Sequence, residues 1–224
     1  MTKKFAIYTT VAGVLLAAFL ILTLLLTCVD MREAGESGAK VGFATLNEAV
    51  FEALGQNALC LTLSELCGTL MLAAVGAFGV VGLVQVIRRK GILRADRELY
   101  VMAGGLVLLA AAYLLFEIVV INCRPVLDEG ELAASYPSSH TMLAAAVAGM
   151  GMAYLQIRAK KGALTYVLYG LLNVVPVATV VLRLLGGVHW LTDIVGGVLL
   201  GCAIAFAYRA VCAIMGAGKK DAAM

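Results

Sequence analysis

The stretch "CRPVLDEGELAASYPSSH", residues 123–140, separates two long apolar runs, Leu99–Asn122 before it and His140–Ile157 after it. It holds one of the chain's two histidines, an Arg-Pro pair, three acidic residues and a Pro-Ser-Ser-His run. So much polar chemistry between two greasy segments is the pattern of a loop joining membrane helices. The whole chain agrees. Of its 224 residues 62% are hydrophobic and only 14% charged, against about 25% charged in an ordinary soluble domain. Mean hydropathy is +0.99.

On either side of this stretch, six apolar spans are expected along the chain: Phe5–Cys28, Leu59–Ile87, Leu99–Asn122, His140–Ile157, Ala163–Leu185 and Trp190–Ile214. About 20 residues of α-helix cross a hydrocarbon layer, and lipid demands that backbone groups be satisfied within the segment. The sequence therefore predicts an all-α, polytopic membrane protein. Residues 1–58 form a first transmembrane helix and outer loop, 59–214 a core, and 215–224 a tail. Between the first two spans, Thr45-Leu46-Asn47-Glu48 reads as a capping box opening a short surface helix that stops near Gly55.

Basic residues set the orientation. Lys3, Lys4, Arg88, Arg89, Lys90, Arg94, Arg97, Arg158, Lys160, Lys161, Arg209, Lys219 and Lys220, 13 of 17, fall on one side of a six-span layout. Short positive loops stay cytoplasmic, so both termini are expected inside and residues 123–140 outside. The net charge of +3 follows from this topology and does not point to nucleic acid. The six cysteines show neither CxxC nor Cys/His metal spacing.

Both histidines, His140 and His189, fall at outer ends of spans. In "RLLGGVHWLTD", residues 183–193, His189 and Asp193 are four apart and share a helix face. A carboxylate there holds one imidazole nitrogen protonated and leaves the other free to attack. Gly186 and Gly187 permit the chain to fold Arg183 back beside His189. Ser138 or Ser139 is a natural helix N-cap behind Pro137. The first N–H groups of that helix form an anion site, with His140 in the same turn as a proton donor. With Arg124, this set suits a tetrahedral oxyanion, most often phosphate. Trp190 reads as an interfacial ring at headgroup level. Glu65, within the second span, is either an intramembrane partner or a residue near a surface. Gly197 and Gly201 read as a tight helix-packing pair, and Asp128, Glu129 and Glu131 as a solvated loop tip.

These residues resemble the type 2 phosphatidic acid phosphatase (PAP2) superfamily, whose signature is K-x6-R-P, P-S-G-H and S-R-x5-H-x3-D. Matching positions are Arg124-Pro125, then Pro137-Ser138-Ser139-His140, then Arg183, His189 and Asp193. The resemblance implies a PAP2-like bundle of six transmembrane helices. It also implies a lipid phosphate or diphosphate phosphatase in which His189 attacks phosphorus and Asp193 orients it. His140 protonates the leaving group, and Arg124, Arg183 and the Ser138–Ser139 backbone hold the phosphoryl oxygens. Arginines supply the positive charge, so no metal or other cofactor is implied. Three positions depart: Glu117 replaces the lysine, Leu182 the serine and Ser139 the glycine. Glu117 matters most, because it reverses a charge. On a helix it shares a face with Arg124 about 10 Å away, where bracing that arginine is the preferred reading and altered leaving-group chemistry or lost activity are the others. Alternatives are a lipid phosphotransferase using the same phosphohistidine, or an inactive lipid-phosphate-binding protein. Phosphatidic acid, phosphatidylglycerol phosphate, polyprenyl diphosphate (undecaprenyl diphosphate among them) and lipid A phosphates fit equally well. The expected setting is a bacterial plasma membrane with the site outside; oligomeric state is not readable from the sequence.

Overall fold

A computed structural model of the chain describes residues 3–127 and 130–221. Six long helices and a short one account for most of it. They are α1 (Lys3–Leu26), α2 (Ala44–Leu54), α3 (Ala58–Arg88), α4 (Arg97–Ile118), α5 (Ser139–Arg158), α6 (Ala163–Leu185) and α7 (Leu191–Asp221). Between α1 and α2 lies a small antiparallel hairpin, β1 (Arg32–Ala34) and β2 (Ala39–Val41), in the register Arg32↔Val41. The loop-tip residues Asp128 and Glu129 lie outside the described residues.

Five helices, α1, α3, α4, α6 and α7, are long and apolar enough to cross a membrane. The sixth long helix, α5, does not belong to that set among the described residues, and its surroundings explain why. α5 packs against α3, α4, α6 and α7 and buries eleven of its 20 residues, mostly Ala, Gly and Met, whereas α1 buries only Phe19 and Leu26. A helix enclosed by protein needs small residues more than greasy ones, because helices in lipid associate by close packing rather than by water exclusion. Gly197 and Gly201 on α7 serve that end. A Cβ on Gly197 would lie 2.1 Å from Thr141 Oγ1, and one on Gly201 2.5 Å from the Met142 carbonyl.

At the arginine-rich end of the bundle, Asp96 ties three helices together. Its carboxylate accepts hydrogen bonds from Gln85 (2.9 Å) and Arg89 (3.0 Å) on or just after α3, and from the Tyr154 hydroxyl on α5 (3.1 Å). Arg158 closes the knot on Glu98 at 2.6 Å. His140, one of the two candidate histidines, sits at the opposite end of α5.

Three local expectations need correction. α2 forms and stops at Gly55 (φ 66°), but it starts at Ala44, and Phe43 at the N-cap gives no side-chain bond. Thr45 is therefore inside the first turn, where the Asp30 carboxylate accepts from its N–H at 2.6 Å. The cap comes from fifteen residues upstream, which a local motif cannot signal. α4 ends at Ile118, four residues before the expected end, so Glu117 and Arg124 do not share a continuous helix face. The residues that follow leave the helix because Asn122 is drawn off to bond the Gly42 N–H (3.1 Å), and Pro125 disfavours helix just before it. Third, Trp190 is 1% exposed and is no interfacial ring. It packs among Ala34, Val41, Ala44 and Phe51, with its indole N–H donating to the Cys123 carbonyl at 2.7 Å. The hairpin and α2 thus sit as a cap over the start of α7.

Candidate active site

α6 ends at Leu185, and Gly187 takes a left-handed conformation (φ 68°) that turns the chain toward α7. That turn brings His189 back over Arg183, the last basic residue of α6. Arg183 Nη2 lies 3.2 Å from His189 Nε2. A guanidinium only donates, so Nε2 is the acceptor and Nδ1 carries the proton. Nδ1 faces Asp193 Oδ2 at 3.7 Å, long for a direct hydrogen bond. Asp193 is itself fixed: its fully buried carboxylate accepts from the Trp190 N–H (2.9 Å), the Ser135 hydroxyl (2.6 Å) and Asn122 Nδ2 (3.4 Å). Three chain segments therefore hold the carboxylate that faces the ring.

His189 is almost completely buried. Burial away from water, opposed by Asp193 and reinforced by Arg183, pushes its imidazole down from 6.5 to about 4. At neutral pH the ring is uncharged, with a lone pair on Nε2. That is the state a nitrogen nucleophile requires.

Beside His189 lies a polar cavity of about 60 Å³, walled by Arg124, Glu117, Tyr113, Ser135, Pro137 and Ser139 among others. It has room for about four waters at one probe sphere each, the scale of a tetrahedral oxyanion. Ser138 occupies the N-cap of α5, as expected, but its side chain makes no capping bond. Its Oγ is buried without a partner. The α5 N-terminus is consequently not closed by its own cap. Pro125 stands back from the cavity and offers its carbonyl to the Ser37 N–H (3.1 Å), anchoring the hairpin.

His140 is placed differently from the expectation that it and His189 grip one ion directly. It does not line the small cavity; it lines an adjoining apolar groove of about 590 Å³ between α3, α4 and α5, with Ser139 and Tyr113 shared by both spaces. Its Nε2 lies 2.9 Å from Glu65 Oε2, and the other oxygen of Glu65 pairs with Arg183 Nη1, which also bonds Ser64 Oγ at 3.3 Å. The two histidines are joined through a chain, His140–Glu65–Arg183–His189. Glu65 was visible in the sequence as an ionisable residue at membrane depth, without a role. Ser64, Asn122 and Ser135 carried no sequence signal, since they act through partners distant along the chain.

A family model described as the PAP2 superfamily matches residues 117–213. The resemblance read from the sequence is met over those residues, which hold all three parts of the motif. Likeness of fold extends further than that match. The crystal structure of a transmembrane PAP2-type phosphatidylglycerolphosphate phosphatase from Bacillus subtilis is similar with a TM-score of 0.65, at 18% identity, over 88% of this chain and 94% of that one. No curated protein sequence matches the chain. Within the PAP2-matched residues lie Glu117, Arg124, Pro125, Ser138, Ser139, His140, Arg183, His189 and Asp193; Ser64 and Glu65 lie outside them.

Proposed function

We propose that this chain is an integral membrane lipid phosphatase that releases phosphate from a phosphomonoester or diphosphate through a phosphohistidine. The observation that carries the reading is the state of His189: neutral, buried, its Nε2 facing Arg183 and its Nδ1 facing an anchored carboxylate, beside a cavity that fits a tetrahedral oxyanion. Nε2 attacks phosphorus as the P–O bond to the leaving oxygen breaks, and His140 gives that oxygen a proton. Water then attacks the phosphohistidine, returns a proton to His140 and frees phosphate. Arg124, Arg183 and the α5 N-terminus stabilise the charge on the equatorial oxygens. The positive charge comes from side chains, and the reading invokes no metal or cofactor. The apolar groove next to the cavity supports a substrate whose tail stays among the helices. The bundle end opposite His140 gathers Arg89 and Arg158, which supports an outward-facing site by the positive-inside rule, in keeping with a plasma membrane.

The test is phosphate release across phosphatidic acid, phosphatidylglycerol phosphate, a polyprenyl diphosphate and lipid A phosphates, with His189→Ala as the blank. Release above the blank is expected for at least one lipid; equal release from both proteins across all of them rejects the assignment. Glu117 in the cavity wall favours a second reading, binding of lipid phosphate without turnover. Labelled phosphate trapped on His189 after a rapid quench eliminates it.

A further inference from the structure

His189 has Asp193. Its counterpart, His140, has a carboxylate of its own, and that carboxylate comes from α3, outside the family-matched residues. Glu65 Oε2 lies 2.9 Å from His140 Nε2. The helix that carries Glu65 is also shaped for the ring: one turn on, Gly68 leaves a notch in which a Cβ would stand 2.5 Å from His140 Cδ2 and 2.8 Å from Nε2. Two independent features of α3, a charge and a vacancy three residues apart, therefore fit one imidazole. Glu65 is half exposed, but it opens on the apolar groove, where an ionised carboxylate needs cationic partners. Arg183 supplies one. The His140 imidazole, when it carries a second proton, supplies the other.

We propose that Glu65 is the positioning residue for the acid half of the reaction, holding His140 protonated and aimed so that Nδ1, the nitrogen it does not bind, delivers the proton to the leaving oxygen. This rests on the phosphatase reading above. Charged and titratable groups reach His140 from every side: Glu65 from α3, Tyr113 from α4, Arg124 from the connection before α5, Arg183 from α6 and, through Arg183, His189 and Asp193 at the start of α7. Two of these are arginines that oppose a charge on the imidazole, and Glu65 is the only carboxylate described in contact with it. Proton balance is closed. His140 loses its proton to the leaving alkoxide and regains it from the attacking water, while Glu65 stays ionised throughout.

The consequence is selective. A lipid alkoxide leaves poorly without a proton; 4-nitrophenolate leaves well without one. Glu65→Gln keeps the shape, lets its carbonyl accept from Arg183 and points an amide N–H₂ at His140 Nε2, which favours the neutral ring. The expected result is a fall of at least tenfold in kcat on the lipid phosphate that the wild-type protein hydrolyses. The basic limb of the pH profile moves at least one unit lower, and the rate of His189 phosphorylation in a single turnover falls far less with 4-nitrophenyl phosphate than with the lipid. Gly68→Ala leaves every charge in place and crowds the ring, and shows the same lipid-selective loss; with Glu65→Asp it carries the test if Glu65→Gln does not fold. Equal losses on both substrates with an unmoved pH profile, or no loss, overturn the proposal while leaving the phosphatase reading intact. A wild-type protein that releases phosphate from neither substrate overturns both.

Discussion

Asp193→Asn isolates the carboxylate that faces His189. In the wild type one oxygen, Oδ2, accepts both the Trp190 N–H at 2.9 Å and the Ser135 hydroxyl at 2.6 Å. Hydrogen bonds to a charged acceptor contribute about 1.5–3 kcal/mol and neutral ones about 0.5–1.5, so neutralising the acceptor costs about 2–3 kcal/mol over the pair. If the amide oxygen takes the Oδ2 position, the new N–H₂ faces Asn122 Nδ2, now 3.4 Å from Oδ1. Asn122 cannot turn its oxygen around to meet it, because that oxygen already accepts from the Gly42 N–H. The opposed donors add about 1–2 kcal/mol. The reverse amide orientation is worse, since it faces N–H₂ against Trp190 and Ser135. The sum is about 3–5 kcal/mol, and at about 2–4 °C per kcal/mol for a chain of this length the unfolding midpoint should fall by roughly 10 °C. Trp190 is the only tryptophan and is buried against this network, so its fluorescence during heating in detergent reads the transition directly. A midpoint within about 2 °C of wild type refutes the anchoring argument.

The remaining predictions concern protonation, packing and the reversed charge. Because His189 titrates at about 4 when folded against 6.5 when free, its neutral state contributes stability that is whole above pH 6.5 and is lost as the pH falls toward 4. The contribution is about 3 kcal/mol. Unfolding midpoints should drop through that window, and His189→Gln should flatten the drop. Labelling of His189 by a rapid acyl-free phosphate donor such as 4-nitrophenyl phosphate should persist from pH 7 down to about 5. Gly197→Ala forces α7 away from Thr141 and the Ser138 carbonyl, and should cost about 1–3 kcal/mol together with most of the phosphate release, measurable by thermal melt and release assay. Glu117→Lys should lower turnover by tenfold or more if Glu117 braces Arg124; a gain in phosphate release shows that the position was degraded instead.

Much of this architecture was legible because lipid makes sequence literal. Six long helices lie on the six apolar stretches, five of them long and apolar enough to cross a membrane, and Arg183, His189 and Asp193 meet at a helix junction as their spacing suggested. What escaped were contacts set by tertiary geometry. Asp30 caps α2 across a hairpin, and Trp190 is buried because β1, β2 and α2 fold over it. Glu117 and Arg124 line one cavity although the helix between them has ended. Glu65 is the instructive case. Its oddity was plain from position alone, yet its partners stand 75 and 118 residues away, beyond the reach of any periodicity.

The indole of Trp190 rests on the hairpin and α2, and Asn47 of α2 exchanges hydrogen bonds with Thr192 at the first turn of α7 (2.9 and 3.2 Å). Those supports precede everything that the family match covers. A fragment trimmed to residues 59–214 would keep each candidate site side chain and still lose the wedge on which Trp190 and the start of α7 are seated, so the first quarter of the chain belongs to the framework of the site and not merely to its moorings.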